Sequence, residues 1–349
     1  MRFAIEMEQA ENAESAQSDR AAELRRDPIT NTWVLQMDGE NPRFGENGCP
    51  FCPGVEASRI HTIHQQPWGD PNWQVRVVPH LDPIYRIEGD ARRHPEGIYD
   101  RMRNLGAHEI VVEHPSHNLL LSQLSVEHIA QVLGTFVSRI ADLKRDRRFR
   151  YVTVFRNQGT AAGQEFEHPH SEITATPFIP RRVGYELRWS QAHFELKERC
   201  LACDLIKQEL SEQVRTVEWD DMFVAFCPYA SRVPYETWLF PVNHHCAFEE
   251  DVASGISQLR LARVLKSVLL RLEVISPAYH LVLHTCPNVN AKFERTGNWQ
   301  TLADDYHWHL EILPAVPGKS KPYTVKEVYC NSVTPENAAR ELRRMAVSG

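Results

Sequence analysis

Two hexapeptides share one pattern, His168-Pro169-His170-Ser171-Glu172-Ile173 and His307-Trp308-His309-Leu310-Glu311-Ile312. In an extended strand the alternation places both imidazoles and the carboxylate of each hexapeptide on one face. A Cys-x-x-Cys pair precedes each, Cys49–Cys52 in one case and Cys200–Cys203 in the other. Between pair and hexapeptide lies an apolar run closed by proline and then histidine: HEIVVEHPSH ends at His117 and YETWLFPVNH at His244. Thiolate and neutral imidazole are the ligands of tetrahedral zinc, which closes on four such groups in a structural site. The first set is Cys49, Cys52, His117 and His168; the second is Cys200, Cys203, His244 and His307. Two zinc ions per chain are expected. His245, beside His244, and His114, near His117, are the rival imidazoles.

A metal-tied histidine at 168 holds position 170 two residues away, and Pro169 stiffens the link. An imidazole with one ring nitrogen anchored and the other free is a nucleophile toward phosphorus. His170 is that candidate, with Glu172 on the same face. Upstream, FRNQGTAAGQ (155–164) follows a strand-like run and is rich in small residues. Such a loop brings backbone N–H groups close to phosphate oxygens, which makes Gly159, Gly163 and Gln164 candidate substrate contacts.

These groups need a frame, and the frame is written twice. The order Cys-x-x-Cys, strand, strand-Pro-His, helix, strand, hexapeptide recurs near 49–173 and 200–312. Ile129, Val132, Leu133, Phe136, Val137 and Ile140 fall on one helix face; Leu261, Val264, Leu265, Val268, Leu269 and Leu272 repeat the spacing. The fold class expected is α+β: a duplicated unit with a mainly antiparallel sheet and packed helices. The expected organisation is a polar tail (1–21), a first half (22–180) carrying the reactive site, and a second half (181–349) carrying the other metal set. TPENAARELRRM near the end reads as a helix with Thr334 as N-cap and Pro335 at its first position.

The formal charge of −7 and the absence of a long basic run argue against nucleic acid as a partner. No apolar run approaches the length that spans a membrane. The polar first twenty residues lack the apolar core of an export signal. The eight cysteines are therefore expected reduced or metal-bound in the cytoplasm.

The motifs CPFC, HEIVVEHPSH, NQG and HPHSEI, in this order, resemble those of the galactose-1-phosphate uridylyltransferase family. That family lies in the histidine-triad superfamily and includes ADP-glucose phosphorylase-like members. The resemblance runs from RRDPITNTWV (25–34) to TPENAARELR. It implies a histidine-triad-like fold and ping-pong transfer of a nucleotidyl group from a nucleotide sugar onto His170. A sugar 1-phosphate or phosphate then accepts that group. It further implies that Phe51, Asn157 and Gly159 line the nucleotide pocket, that Arg43 meets phosphate, and that the protein is a homodimer. At four positions the chain departs from the family pattern: Glu172 replaces a glutamine, His80 an asparagine, Glu40 an arginine, and Thr324 the sugar-binding glutamate. A phosphorylase or hydrolase, and a non-catalytic zinc-stabilised nucleotide-binding protein, are the alternative readings.

Overall fold

The computed structural model describes residues 22–37, 49–54, 60–291, 300–316 and 328–345. In chain order the strands of the first half are β1 (Ala22–Arg26), β2 (Trp33–Met37), β3 (His64–Gln66), β4 (Val75–Pro79), β5 (His94–Glu96), β6 (Tyr99–Arg103), β7 (Ala107–Val112), β8 (Tyr151–Gln158) and β9 (His170–Thr176). Those of the second half are β10 (Thr216–Trp219), β11 (Phe223–Phe226), β12 (Thr237–Pro241), β13 (Tyr279–His284) and β14 (His309–Pro314). The helices are α1 (Val126–Leu143), α2 (Arg181–Lys197), α3 (Leu201–Glu212), α4 (Phe248–Asp251), α5 (Gly255–Ile275), α6 (Leu302–Asp305) and α7 (Pro335–Arg344).

The repeat seen in sequence is also a repeat in space. One ten-stranded sheet runs β10-β11-β12-β14-β13-β8-β9-β7-β4-β3. Outward from the β13–β8 junction, the order β8-β9-β7-β4-β3 on one side mirrors β13-β14-β12-β11-β10 on the other. All its pairs are antiparallel. The junction pairs Leu281 with Arg156 and His280 with Asn157. A second sheet, β2-β1-β6-β5, belongs to the first half.

Helices α1 and α5 pack against each other. Their apolar stripes are the expected ones: Ile129, Val132, Leu133, Phe136 and Ile140 are buried, as are the six aliphatic residues from Leu261 to Leu272. Burying such a side chain contributes about 1.5–3 kcal/mol, so packing rather than intrinsic propensity holds these helices. Ser125 and Ser254 cap them by accepting the N–H groups of His128 and Ser257. The segment joining the halves is α2, which ends where Glu198 takes a left-handed conformation (φ 55°). The terminal helix α7 begins as expected, with Thr334 accepting from the Asn337 N–H. Among the described residues, no helix is long and apolar enough to cross a membrane.

Candidate active site and metal centres

The residues 49–54 form a turn that brings two thiols to two imidazoles. Cys49 Sγ lies 3.4 Å from His168 Nδ1. Cys52 Sγ lies 3.5 Å from His117 Nδ1 and 3.7 Å from His168 Nδ1. The Phe51 N–H points at Cys49 Sγ from 3.4 Å, a donor that favours the thiolate. His168 turns Nδ1 inward because its Nε2 is bonded to the His114 carbonyl at 2.8 Å. Orienting a ligand ring through its other nitrogen is a common feature of metal sites.

The second set copies this device. Cys203 Sγ is 3.4 Å from His244 Nδ1 and 3.6 Å from His307 Nδ1, and Cys200 Sγ is 3.9 Å from His307 Nδ1. The outer nitrogens of His244 and His307 are bonded to the carbonyls of Ala303 (2.8 Å) and Pro241 (3.1 Å). In each set the ligand atoms lie within 4.8 Å of one another, and both sets can hold a metal ion. The rival imidazoles are used elsewhere. His245 Nε2 lies 3.3 Å from Asp251, and His114 Nδ1 accepts the Ser116 N–H at 2.8 Å.

His170 opens β9 two residues after His168. Its Nδ1–H donates to the His168 carbonyl at 2.7 Å, which leaves the lone pair on Nε2. Burial lowers the ring's basicity below the ordinary imidazole value. Phe51 and Phe166 flank it, with ring centroids 6.5 and 5.5 Å away. Glu172 Oε1 faces His170 Nε2 across 3.8 Å, while its Oε2 accepts from His108 Nε2–H at 2.8 Å. A cavity of about 650 Å³ is bounded by Cys49, His117 and His168 on one side and by residues of the 158–167 loop on the other; Phe166 and His168, which neighbour His170, line it, whereas His170 and Glu172 themselves do not.

That loop differs from the expected phosphate cradle. The Gly159 N–H donates to Gln164 Oε1 at 2.6 Å, and the N–H groups of Ala162, Gly163 and Gln164 donate to carbonyls of Gly159 and Thr160. Gln164 Nε2 in turn donates to the Phe166 carbonyl at 2.7 Å. Gln164 is thus the loop's internal brace. A small-residue loop of this length closes on itself because its amides are nearer to its own carbonyls than to anything outside. Gly159 (φ 81°) and Gly163 (φ 72°) hold left-handed backbone turns. Asn157 Oδ1 pairs with His280 Nδ1 at 2.8 Å, across the junction of the halves. Phe51 is buried among Trp73, Val78, Ile110, Val112 and Phe166. Arg43 lies outside the described residues, as do Glu40 and Thr324.

Three groupings near His170 were not foreseen from sequence. Arg156, 1% exposed, donates to the His170 carbonyl at 2.9 Å and is paired with the fully buried Glu113. Ser171 Oγ donates to the same Glu113 at 2.6 Å. An arginine inside the apolar run YVTVFRNQ was the available signal, since a buried charge demands a partner. His108, which holds Glu172, stacks on His80 with ring centroids 3.9 Å apart.

In the second half, His309 holds the matching place and has a different setting. Its ring is stacked between Phe240 (4.8 Å) and His284 (4.7 Å), and burial lowers its pKa to about 4. Glu311 is held by Arg182 and Arg232, each at 2.7 Å, and Glu186 by His284 at 2.9 Å. The carboxylate that is free to face the histidine in one half is therefore bound by guanidinium groups in the other.

A family model described as galactose-1-phosphate uridyl transferase, N-terminal domain, matches residues 36–180. The ADP-glucose phosphorylase of Arabidopsis thaliana is 27% identical over 351 residues, covering 95% of this chain and 95% of its own. The galactose-1-phosphate uridylyltransferase of Thermotoga maritima is 25% identical over 335 residues, covering 93% and 99%. A crystal structure of the Arabidopsis thaliana ADP-glucose phosphorylase with bound ADP-glucose matches at a TM-score of 0.75 and 27% identity, over 94% of this chain and 100% of that one. Over nearly its whole length the chain is similar to galactose-1-phosphate uridylyltransferases and to an ADP-glucose phosphorylase.

Proposed function

We propose that the chain is a nucleotidyltransferase that takes the nucleotidyl group of a nucleotide sugar onto His170 and releases a sugar 1-phosphate. The observation that carries this reading is the His170 ring. Its Nδ1 is fixed on a backbone carbonyl at 2.7 Å and its Nε2 lone pair is left for phosphorus. The relatives support the substrate class, since their names place them on ADP-glucose and on galactose 1-phosphate. We assign the reactive chemistry to residues 22–180 and the second metal set to residues 181–349. Gly159 lines the cavity; we assign Phe51, Asn157 and Gly163 to the support of its nucleotide end, Gln164 to the bracing of its loop, and Arg43 to the donor's phosphates.

Zinc fits both donor sets, because two thiolates and two imidazoles arriving at one point are its preferred closed environment. Bound at Cys49, Cys52, His117 and His168, it supplies a rigid anchor. His168, held there, positions the carbonyl that accepts the His170 Nδ1–H hydrogen bond. The family likeness extends the proposal to a cytoplasmic homodimer.

The test is a panel of ADP- and UDP-sugars, followed by mass spectrometry for sugar 1-phosphate. At least one should be consumed. His170→Asn should slow that consumption by about 10⁴-fold or more, the scale on which losing a nucleophile is felt. Undiminished turnover by the variant would remove the assignment.

A further inference from the structure

Glu172 stands where the family pattern has a neutral amide, and among the described residues its partners are the imidazoles of His108 and His170, with no guanidinium or ammonium group paired to it. Oε2 receives the His108 Nε2–H at 2.8 Å. The other ring nitrogen of His108 faces the amide N–H of Ile84 at 3.4 Å. With Nδ1 accepting there and Nε2 carrying its one proton, His108 is the neutral tautomer: it orients the carboxylate without cancelling it. Burial also lowers the basicity of His108. The ring stacked on it, His80, faces a second carboxylate, with Nε2 3.4 Å from Glu165. Arg156, the nearby guanidinium, is committed to Glu113 and to the His170 carbonyl. Among the described residues lining the adjacent cavity, two are Glu165 and Glu167 and none is lysine or arginine. Two imidazoles and a carboxylate suggest a metal. However, parallel rings 3.9 Å apart (7° between planes) cannot aim both lone pairs at one ion.

What remains is a buried carboxylate whose Oε1, without a hydrogen bond from the described residues, lies 3.8 Å from the atom that receives the nucleotide. A unit negative charge brought to about 4 Å from it, at an effective dielectric near 20, is disfavoured by about a thousand-fold. The donor's α-phosphate bears one such charge. A phosphate or sugar phosphate acceptor brings close to two and must approach the same centre. A neutral O–H acceptor escapes that penalty and gains a base.

We infer that the second half-reaction of this chain uses water, with Glu172 as its general base, so that nucleotide sugars are hydrolysed to nucleoside monophosphate and sugar 1-phosphate. The inference rests on His170 as nucleophile. In the first step the Nε2 lone pair forms a bond to the α-phosphorus, and the bond from that phosphorus to the bridging oxygen breaks. The sugar 1-phosphate leaves with the electron pair. In the second step the water oxygen bonds to phosphorus while Glu172 takes one of its protons. The P–Nε2 bond breaks, its pair returns to the ring, and Glu172 passes the proton to solvent.

The experiment supplies ADP-glucose and UDP-glucose in H₂¹⁸O, with and without millimolar phosphate or glucose 1-phosphate. The expected product is nucleoside monophosphate carrying one ¹⁸O, formed at a rate that added phosphate does not raise. Glu172→Gln, which removes the carboxylate and keeps an acceptor for His108, should lose about 10²-fold or more of hydrolysis. It should also gain nucleoside diphosphate when phosphate is present. Unchanged metal content and melting temperature identify that variant as folded; if it is not, Glu172→Asp takes its place and should keep water as acceptor. Nucleoside diphosphate or exchanged nucleotide sugar as the main wild-type product overturns the inference while leaving His170 intact. Absence of any adduct on His170 overturns both.

Discussion

At the scale of single residues, the legible part was the part with narrow chemistry. Two thiols and two imidazoles in a repeated order have few uses, so the gathering of these eight residues into two clusters that could hold a metal ion was readable, and the structure adds where the rival imidazoles are engaged. His108 was not readable, because a lone histidine in an apolar strand does not announce the carboxylate it will meet 64 residues later. Gly159 shows a different constraint. A Cβ there would meet the Ala278 Cβ at 3.0 Å and its Cα at 3.2 Å, at a φ of 81° that disfavours any side chain. Gly159→Ala should therefore destabilise the protein by about 1–3 kcal/mol. Thermal unfolding checks this; an unchanged melting temperature would mean that the β8 end and the 277–278 turn separate freely.

At the scale of elements, the helices and strands followed from periodicity, yet how β7, β8 and β9 are tied behind His170 did not. Glu113 follows β7, Arg156 lies within β8, and Ser171 and the His170 carbonyl belong to β9. One buried ion pair thus fastens three strands at the point where His170 emerges. Removing one member leaves the other charged and unpaired in the interior, which costs about 3–5 kcal/mol. Glu113→Ala should lose stability on that scale in denaturant titration. A double variant that removes both charges, Glu113→Ala with Arg156→Met, should recover part of it. Equal or greater loss in the double variant would show that the pair is not the tie.

At the scale of the whole molecule, duplication was visible in the order of motifs, whereas the fusion of the halves into one sheet was not. Nothing in the composition of β8 or β13 states that each is the other's neighbour, because an edge is defined by what pairs with it. With the sheet continuous, metal at either set should stabilise the entire chain. Metal analysis should find about two zinc per chain, and strong chelation should lower the melting temperature of the full sheet, since closed Cys/His sites contribute on the order of 10 kcal/mol. A metal-free preparation with the same melting temperature would contradict that role. The proposed chemistry rests on His170 Nε2 as the atom that carries the nucleotide, and the intact mass of the protein after brief exposure to a nucleotide sugar tests it most directly. One nucleotidyl group per chain is expected, acid-labile, mapped to His170 and absent from His170→Asn; an adduct of the same mass on that variant, or on another residue, would contradict it.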